Sequence, residues 1–245
     1  MTNTLTIVDL IKNNTINPEI AGLLWAAVDE KISFLVSAVY RNAGKSTLSK
    51  AMLSLRRDNV SLHYVSDSPE ITEKLLGLEK HGGYLIVDEF NPMDIPGYLW
   101  GEEAKHVFQM ARNGYSLQGS IHSENAEQAI TEITQGIGVS DEDASIIQLV
   151  LFIEMFGTSA ADAVRRVTEI YEVHRVEGGK PLGHLLYKWN KDEDKFESVE
   201  ESHLFARNKE ELRKRGEVLG FLANMNKNTE EDIKKTIKEF NGEQS

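Results

Sequence analysis

Gly44-Lys45-Ser46-Thr47 is the stretch of this sequence best suited to hold a phosphate. It follows the short apolar run Ser33-Phe34-Leu35-Val36-Ser37 and leads into a helical pattern from Leu48 to Leu55. Glycine lets backbone N–H groups approach phosphate oxygens, and the start of a helix adds positive potential. Lys45 is placed to reach β- and γ-phosphates and Ser46 to ligate Mg²⁺. The candidate nucleotide-binding residues are therefore Asn42, Ala43, Gly44, Lys45, Ser46 and Thr47, and the implied cofactors are ATP and Mg²⁺. The alternative is an ordinary Ala-Gly-Lys-Ser turn capped by Ser46. The full pattern wants glycine at its first position, where Val39 stands, and another before the last pair, where Asn42 and Ala43 stand. Valine tolerates a positive φ badly, so the loop's entry is expected to adopt a conformation that suits it.

A second constellation lies downstream. Tyr84-Leu85-Ile86-Val87 is an apolar strand that ends in two carboxylates, Asp88 and Glu89. At the edge of a sheet, Asp88 is expected to hold the Mg²⁺ shell through Ser46 or water, and Glu89 to orient an attacking water as general base. A buried strand ending in solvated acids is the plainer alternative. Ser116 to Ile121 alternates like a strand and delivers His122 at the same edge, as a catalytic candidate or a hydrogen-bonded structural histidine. The other histidines, His63, His81, His106, His174, His184 and His203, show no metal-like spacing, so zinc is not expected.

These residues need a scaffold, and the pattern of elements supplies one. Asn17-Pro18-Glu19 reads as a helix start, with Ile20, Leu23, Leu24, Ala27 and Val28 on one face. His63 to Ser66 reads as a strand ended by Asp67-Ser68-Pro69, where Asp67 and Glu70 either contact Mg²⁺ or cap the next helix through Ser68. Ala104 to Arg112 and Glu124 to Ile133 read as helices. Short strands alternating with helices predict an α/β fold with a mostly parallel sheet covered on both faces. After Gly138 the spacing predicts a helix from Asp141 to Phe156, then a strand from Val167 to Val176. Leu185 to Trp189 and Lys195 to Val199 bracket a polar hairpin. Lys209 to Ala223 and Glu230 to Phe240 close the chain as helices, with Thr229 and Asp232 as a cap and a solvated face of Lys and Glu pairs.

The bulk composition narrows the function. With 245 residues, 40% hydrophobic and 27% charged, the chain has the make-up of a globular protein with one good-sized core. A net charge of -12 argues against a nucleic-acid backbone as main partner. The absence of cysteine excludes disulfides, thiolate metal sites and cysteine catalysis. No apolar run approaches the roughly 20 residues needed to span a bilayer, and Met-Thr-Asn-Thr-Leu-Thr lacks the features of a signal peptide. A cytoplasmic protein is expected, peripheral at the inner face of the membrane only through partners.

From about Ile16 to Phe240 the sequence resembles the type II/type IV secretion and pilus-assembly ATPase superfamily, closest to its archaellum-motor and tight-adherence-pilus branch. Ile16-Asn17-Pro18-Glu19-Ile20-Ala21 and Leu24-Trp25 begin the likeness, which runs through Gly44-Lys45-Ser46-Thr47. Tyr64 to Glu70 resembles the family's Asp box and Ser120-Ile121-His122-Ser123 its His box. Gly101-Glu102-Glu103-Ala104 with Met110 and Gly114, Arg165 to Ile170, the Trp189 hairpin, and Glu211 to Arg215 follow in the family's order. The resemblance implies that His122 senses the γ-phosphate or a neighbouring subunit. Several family features are altered. Ser66 replaces an acid beside Asp67, Tyr115 replaces the histidine after Gly114, and no arginine follows Glu89. An insertion, Asn91 to Trp100, precedes Gly101, and nothing ahead of residue 16 matches the family's N-terminal domain, which closes over the nucleotide and supplies arginines. Tyr98 and Trp100 suit base stacking, partner docking or a lid; Arg165 and Arg166 suit a subunit interface or a solvated helix face.

The resulting expectation is an N-terminal extension (1–15), a RecA-like nucleotide-binding core (16–135), a helical and β-hairpin subdomain (136–205) and a helical tail (206–245). Functionally, it is a divergent ATP-binding subunit that hydrolyses ATP slowly, or a catalytically inactive paralogue that regulates or scaffolds a true motor. A stand-alone regulatory P-loop protein is the third reading. Expected partners are further copies of itself, since the family forms hexamers, and a platform membrane protein or full-length motor ATPase; no nucleic acid is expected.

Overall fold

In a computed structural model the described residues are 5–65, 82–157, 162–205 and 209–242. Asp67 and Glu70 lie outside them. Eight strands form one sheet, in the order β10-β9-β8-β7-β1-β6-β3-β2. The phosphate-loop strand β1 (Phe34–Ser37) lies between β6 (Ser116–Ile121) and β7 (Leu149–Phe156), parallel to both. The carboxylate strand β3 (Tyr84–Val87) pairs with the far side of β6, and β2 (Leu62–Tyr64) with the far side of β3, both in parallel. One strand thus separates the phosphate loop from the carboxylates, as in a RecA-like core.

Every residue of β1, β3 and β6 is buried, as parallel strands covered on both faces must be. Phe34 and Val36 face a cluster built from α1 (Ile7–Lys12), α2 (Pro18–Asp29), α3 (Lys45–Leu53), α7 (Lys209–Asn224) and α8 (Glu230–Phe240). Leu35 faces the other, built from α4 (Gly101–Arg112), α5 (Ala126–Thr131) with a following π-helical segment (Glu132–Ile137), and α6 (Asp141–Ala144). The predicted helix starts hold locally. The Asn17 side chain accepts from the N–H of Ile20 at 2.8 Å, and Thr229 accepts from that of Asp232 at 3.1 Å.

One expectation is corrected. The helix expected over Asp141 to Phe156 is only α6, and Leu149 to Phe156 is strand β7. An apolar run without alternation fits a buried strand as well as a buried helix. Through β7 the sheet runs on without a break into the antiparallel strands β8 (Val164–Glu177), β9 (Lys180–Asn190) and β10 (Lys195–Ser198). The N-terminal segment packs on the core. Thr6 and Asp9 form a capping box, and Ile7, Val8 and Leu10 of α1 are buried in the first cluster.

Two charged side chains fix the outer pieces, neither on a solvated helix face. Arg215 is 1% exposed, reaches Asp29 at 2.9 Å, and lies over the Trp25 ring at 4.6 Å. It docks α7 on α2, where a Cβ on Gly22 would meet the Leu212 carbonyl oxygen at 2.4 Å, so only glycine permits the approach. Arg166, on strand β8, makes two bonds to Asp194, at 2.7 and 2.8 Å, and one to the Asn13 carbonyl at 3.3 Å. Asp194 also accepts from Trp189 and Asn14, at 2.9 and 3.1 Å. These contacts tie the N-terminal loop, β8 and the hairpin tip together. The Arg166 guanidinium, helped by Trp189 and Asn14, holds the Asp194 carboxyl far below the usual carboxylate range. Because the folded value is depressed, the stability this carboxylate confers is present above its unfolded value and is lost as pH falls below it. Asp194→Asn, which keeps the left-handed backbone conformation, is expected to cost about 1–2 kcal/mol at pH 7. Urea unfolding should show that difference shrinking below about pH 4.

Candidate functional site

The phosphate loop ends at Gly44, whose φ of 110° makes the sharp turn into α3. The missing upstream glycine is compensated at Asn42, which takes a φ of 63° and is one of the few residue types that tolerates it. Val39, at the loop's entry, stays out of the left-handed region, as a β-branched residue must. The loop thus reaches the turn without the glycines the pattern calls for. It borders a cavity of about 880 Å³, whose wall includes Asn42, Ala43, Gly44, Lys45, Ser46 and Thr47. Ser46 is exposed and Thr47 half-buried at its mouth.

Lys45 is 9% exposed and turned inward. Its Nζ lies 3.2 Å from Glu89 Oε2 and 2.8 Å from His122 Nε2, and His122 Nε2 lies 3.3 Å from the same carboxylate oxygen. Three sequence-distant candidates, Lys45, Glu89 and His122, therefore meet at one point. The tautomer follows from the neighbours: His122 Nδ1 is 2.7 Å from the Ala38 carbonyl, which can only accept, so Nδ1 carries the proton and Nε2 accepts from Lys45. The Ser37 hydroxyl braces this corner. It donates to the Ser123 carbonyl at 2.8 Å and accepts the Ser123 N–H at 3.0 Å, joining the ends of β1 and β6 on either side of His122. Burial pushes the Lys45 ammonium below its usual pKa; Glu89 pulls it back up, and Arg41 adds repulsion.

The two carboxylates after β3 part company. Leu85 and Val87 face the second cluster, and so does Phe90 three residues on, so a bend at Asp88 shifts the alternation by one. Glu89 is buried and lines the cavity, while Asp88 is exposed and does not. The Asp88 side chain lies instead against Gly97, where an added Cβ would stand 2.5 Å from its Oδ2. Asp88, expected to hold the Mg²⁺ shell through Ser46 or water, is thus not among the residues that line the cavity. The carboxylate facing Lys45 is Glu89.

The insertion turns out to support the site. Asn91 Nδ2 donates to Glu89 Oε1 at 3.1 Å, and β4 (Glu89–Phe90) pairs in parallel with β5 (Tyr98–Leu99). Tyr98 lines the cavity, whereas Trp100 packs on the second cluster. Arg165, on a strand and not a helix, donates to the Asn42 carbonyl at 3.2 Å and lies over the loop. With Arg41 it gives the cavity two cations besides Lys45. Leu5, Leu10, Asn13 and Thr15 complete the wall. Sequence reasoning did not place Arg41, Arg165 or the N-terminal residues here, and it left Tyr98 between base stacking, partner docking and a lid.

This donor set fits a phosphate-bearing anion. The cavity combines three cationic side chains, the N-terminus of a nine-residue helix and a glycine turn, and holds one carboxylate, Glu89, among its lining residues.

No protein-family profile matches the chain. An uncharacterized protein of Methanocaldococcus jannaschii is 28% identical to it, covering 93% of this chain and 95% of that protein. Two solved structures resemble it in part. The VirB11 ATPase of the Brucella suis type IV secretion system, in complex with sulphate, is 17% identical with a TM-score of 0.45, over 70% of this chain and 57% of that one. The Legionella pneumophila ATPase DotB is 11% identical with a TM-score of 0.40, over 81% of this chain and 54% of that one. The chain thus spans little more than half the length of either. Its fold rests on its own strand order.

The left-handed turn at Asn42 gives a direct check on the loop. Asn42→Gly should leave thermal stability nearly unchanged, and Asn42→Val should lower it by about 1–2 kcal/mol.

Proposed function

We propose that this chain binds Mg-ATP in the cavity between the phosphate loop, Glu89 and Arg165, and that it is a divergent relative of the secretion and pilus-assembly motor ATPases. The observation that carries this reading is Lys45: a buried ammonium at the start of α3, held by Glu89 and His122 across a RecA-like strand order. Burying an ammonium is costly unless it is paired, and its pairing with two groups at the sheet edge leaves it poised to exchange them for phosphate oxygens. Arg41 and Arg165 supply the further positive charge that a triphosphate needs.

Ser46 and Glu89 are the residues that would hold Mg²⁺, which when bound would neutralise phosphate charge. As Lys45 moves to phosphate, His122 Nε2 is released to accept from groups at the γ-position, while Nδ1 keeps its bond to the Ala38 carbonyl. Asn91 keeps Glu89 oriented, and Tyr98 and the α1 segment exclude water from one side. Hydrolysis needs a carboxylate free to orient water; if Glu89 serves the metal, that role is unfilled among the residues that line the cavity. The position of Asp88 thus supports the second reading, a nucleotide-binding paralogue that regulates or scaffolds a motor. The family resemblance supports assembly with further copies, a platform membrane protein or a full-length motor ATPase at the cytoplasmic side. No helix among the described residues is long and apolar enough to cross a membrane.

Titration with a fluorescent ATP analogue in Mg²⁺ tests the proposal. Wild type should bind, and Lys45→Ala should weaken binding by about 10–100-fold, the worth of one charge-assisted bond to phosphate. Turnover lost in Glu89→Gln would favour the motor subunit, and Lys45-dependent binding without turnover the paralogue. No binding by wild type would overturn the nucleotide reading.

A further inference from the structure

Three of the histidines whose spacing carried no metal signature converge on one buried carboxylate. Donor atoms of Glu172, His174, His184 and His203 all lie within 4.8 Å of one another. We propose that these four side chains form a binding site for a divalent transition metal, with Zn²⁺ the preferred ion.

The strands bring them together in ways that spacing alone does not reveal. Glu172 on β8 is directly opposite His184 on β9. Alternation then places His174 on the same face, and the register slips there: Val173 pairs with Gly183 and Arg175 with Leu182, so His174 occupies a β-bulge. A bulge re-aims its side chain. The crossing is tight, since a Cβ on Gly183 would stand 1.8 Å from the Glu172 carbonyl oxygen, and only glycine fits there. The loop after β10 brings the fourth group, because the His203 N–H donates to the Glu172 carboxylate at 3.0 and 3.2 Å. The His184 ring is tied to the same loop, its Nε2 3.1 Å from the Glu201 carbonyl oxygen.

The electrostatics favour a cation. The Glu172 side chain is 0% exposed. Its hydrogen-bond partners are His174 Nε2 at 2.9 Å, the Ser202 hydroxyl and the His203 N–H. No lysine or arginine pairs with it among the described residues. A buried carboxylate calls for a compensating positive charge. The three imidazoles gather beside it, with ring centroids 4.9, 5.5 and 4.7 Å apart. One divalent ion would supply that charge, with the imidazole nitrogens as its further ligands. Three nitrogens and one oxygen suit tetrahedral Zn²⁺, with bonds of about 2.0–2.2 Å. Ligand atoms around such an ion lie about 3.3 Å apart, so the set must contract slightly. His174 and His203 are exposed and have room to turn. With four protein ligands the site is closed, and its work is to clamp the post-β10 loop to the β8–β9 hairpin. None of the four lines the phosphate cavity, and Glu172 lies seven residues along β8 from Arg165, roughly 23 Å at strand rise.

The test uses the full chain, stripped with EDTA and titrated with Zn²⁺ against a chromophoric chelator, with Co²⁺ as a spectroscopic probe. The expected result is one equivalent bound per chain, a rise in melting temperature on adding Zn²⁺, and the visible d–d absorption of tetrahedral Co²⁺. His174→Asn with His203→Asn, both at exposed positions, should fold yet lose Zn²⁺ affinity by at least about 100-fold. Lys45→Ala should bind Zn²⁺ like wild type. Absence of stoichiometric Zn²⁺ binding by wild type, or binding undiminished in the double histidine variant, would overturn the proposal and leave a hydrogen-bonded histidine cluster.

Discussion

A buried ammonium dictates much of this architecture. Lys45 begins a helix, is almost fully enclosed, and is held by a carboxylate and an imidazole from two other strands. Neither the ammonium nor the carboxylate could stand there alone without a heavy desolvation cost. Together they need β1, β6 and β3 side by side in that order, with Glu89 turned inward and His122 held by its Nδ1 bond to the Ala38 carbonyl. The parallel sheet is thus the shortest frame that brings one loop and two strand ends to a single point, and both of its faces must be covered to keep that frame rigid.

The rest of the chain braces that point. Asn91, at the start of the insertion, holds the Glu89 carboxylate, and the Tyr98 strand closes beside it. Arg165 reaches the loop because β7 and β8 extend the sheet on the β1 side. Next to it Arg166 and Asp194 anchor the loop after α1, so the N-terminal residues form a wall of the cavity. On the same layer, Arg215 pins α7 over α2. The cavity is therefore built by residues from both ends of the chain, although its chemistry comes from three short motifs.

How much of this was legible in the sequence depends on the range of the interactions. The strand, phosphate loop and helix, the carboxylate strand and the His122 strand could be read because each is a local pattern of apolar runs and turn residues. The caps at Asn17 and Thr229 were legible for the same reason. Strand β7 was misread as helix because a fully buried strand has no alternation to betray it. The choice between Asp88 and Glu89 hangs on a one-residue bend, and the inward role of Arg165 on strand neighbours far apart in sequence. The meeting of Glu172, His174, His184 and His203 depends on hairpin register and a bulge, neither of which spacing encodes. α1 carries a local signal in the sequence, the Thr6-Asp9 capping pair ahead of an apolar stripe.

The most direct test of the central claim is the structure of the chain crystallised with Mg²⁺ and a non-hydrolysable ATP analogue. The account predicts the terminal phosphates within hydrogen-bond distance of Lys45 Nζ and the loop N–H groups, with Lys45 withdrawn from His122 and Arg165 turned toward the ligand. Lys45 still bound to Glu89 and His122, with the nucleotide elsewhere or absent at saturating concentration, would contradict it.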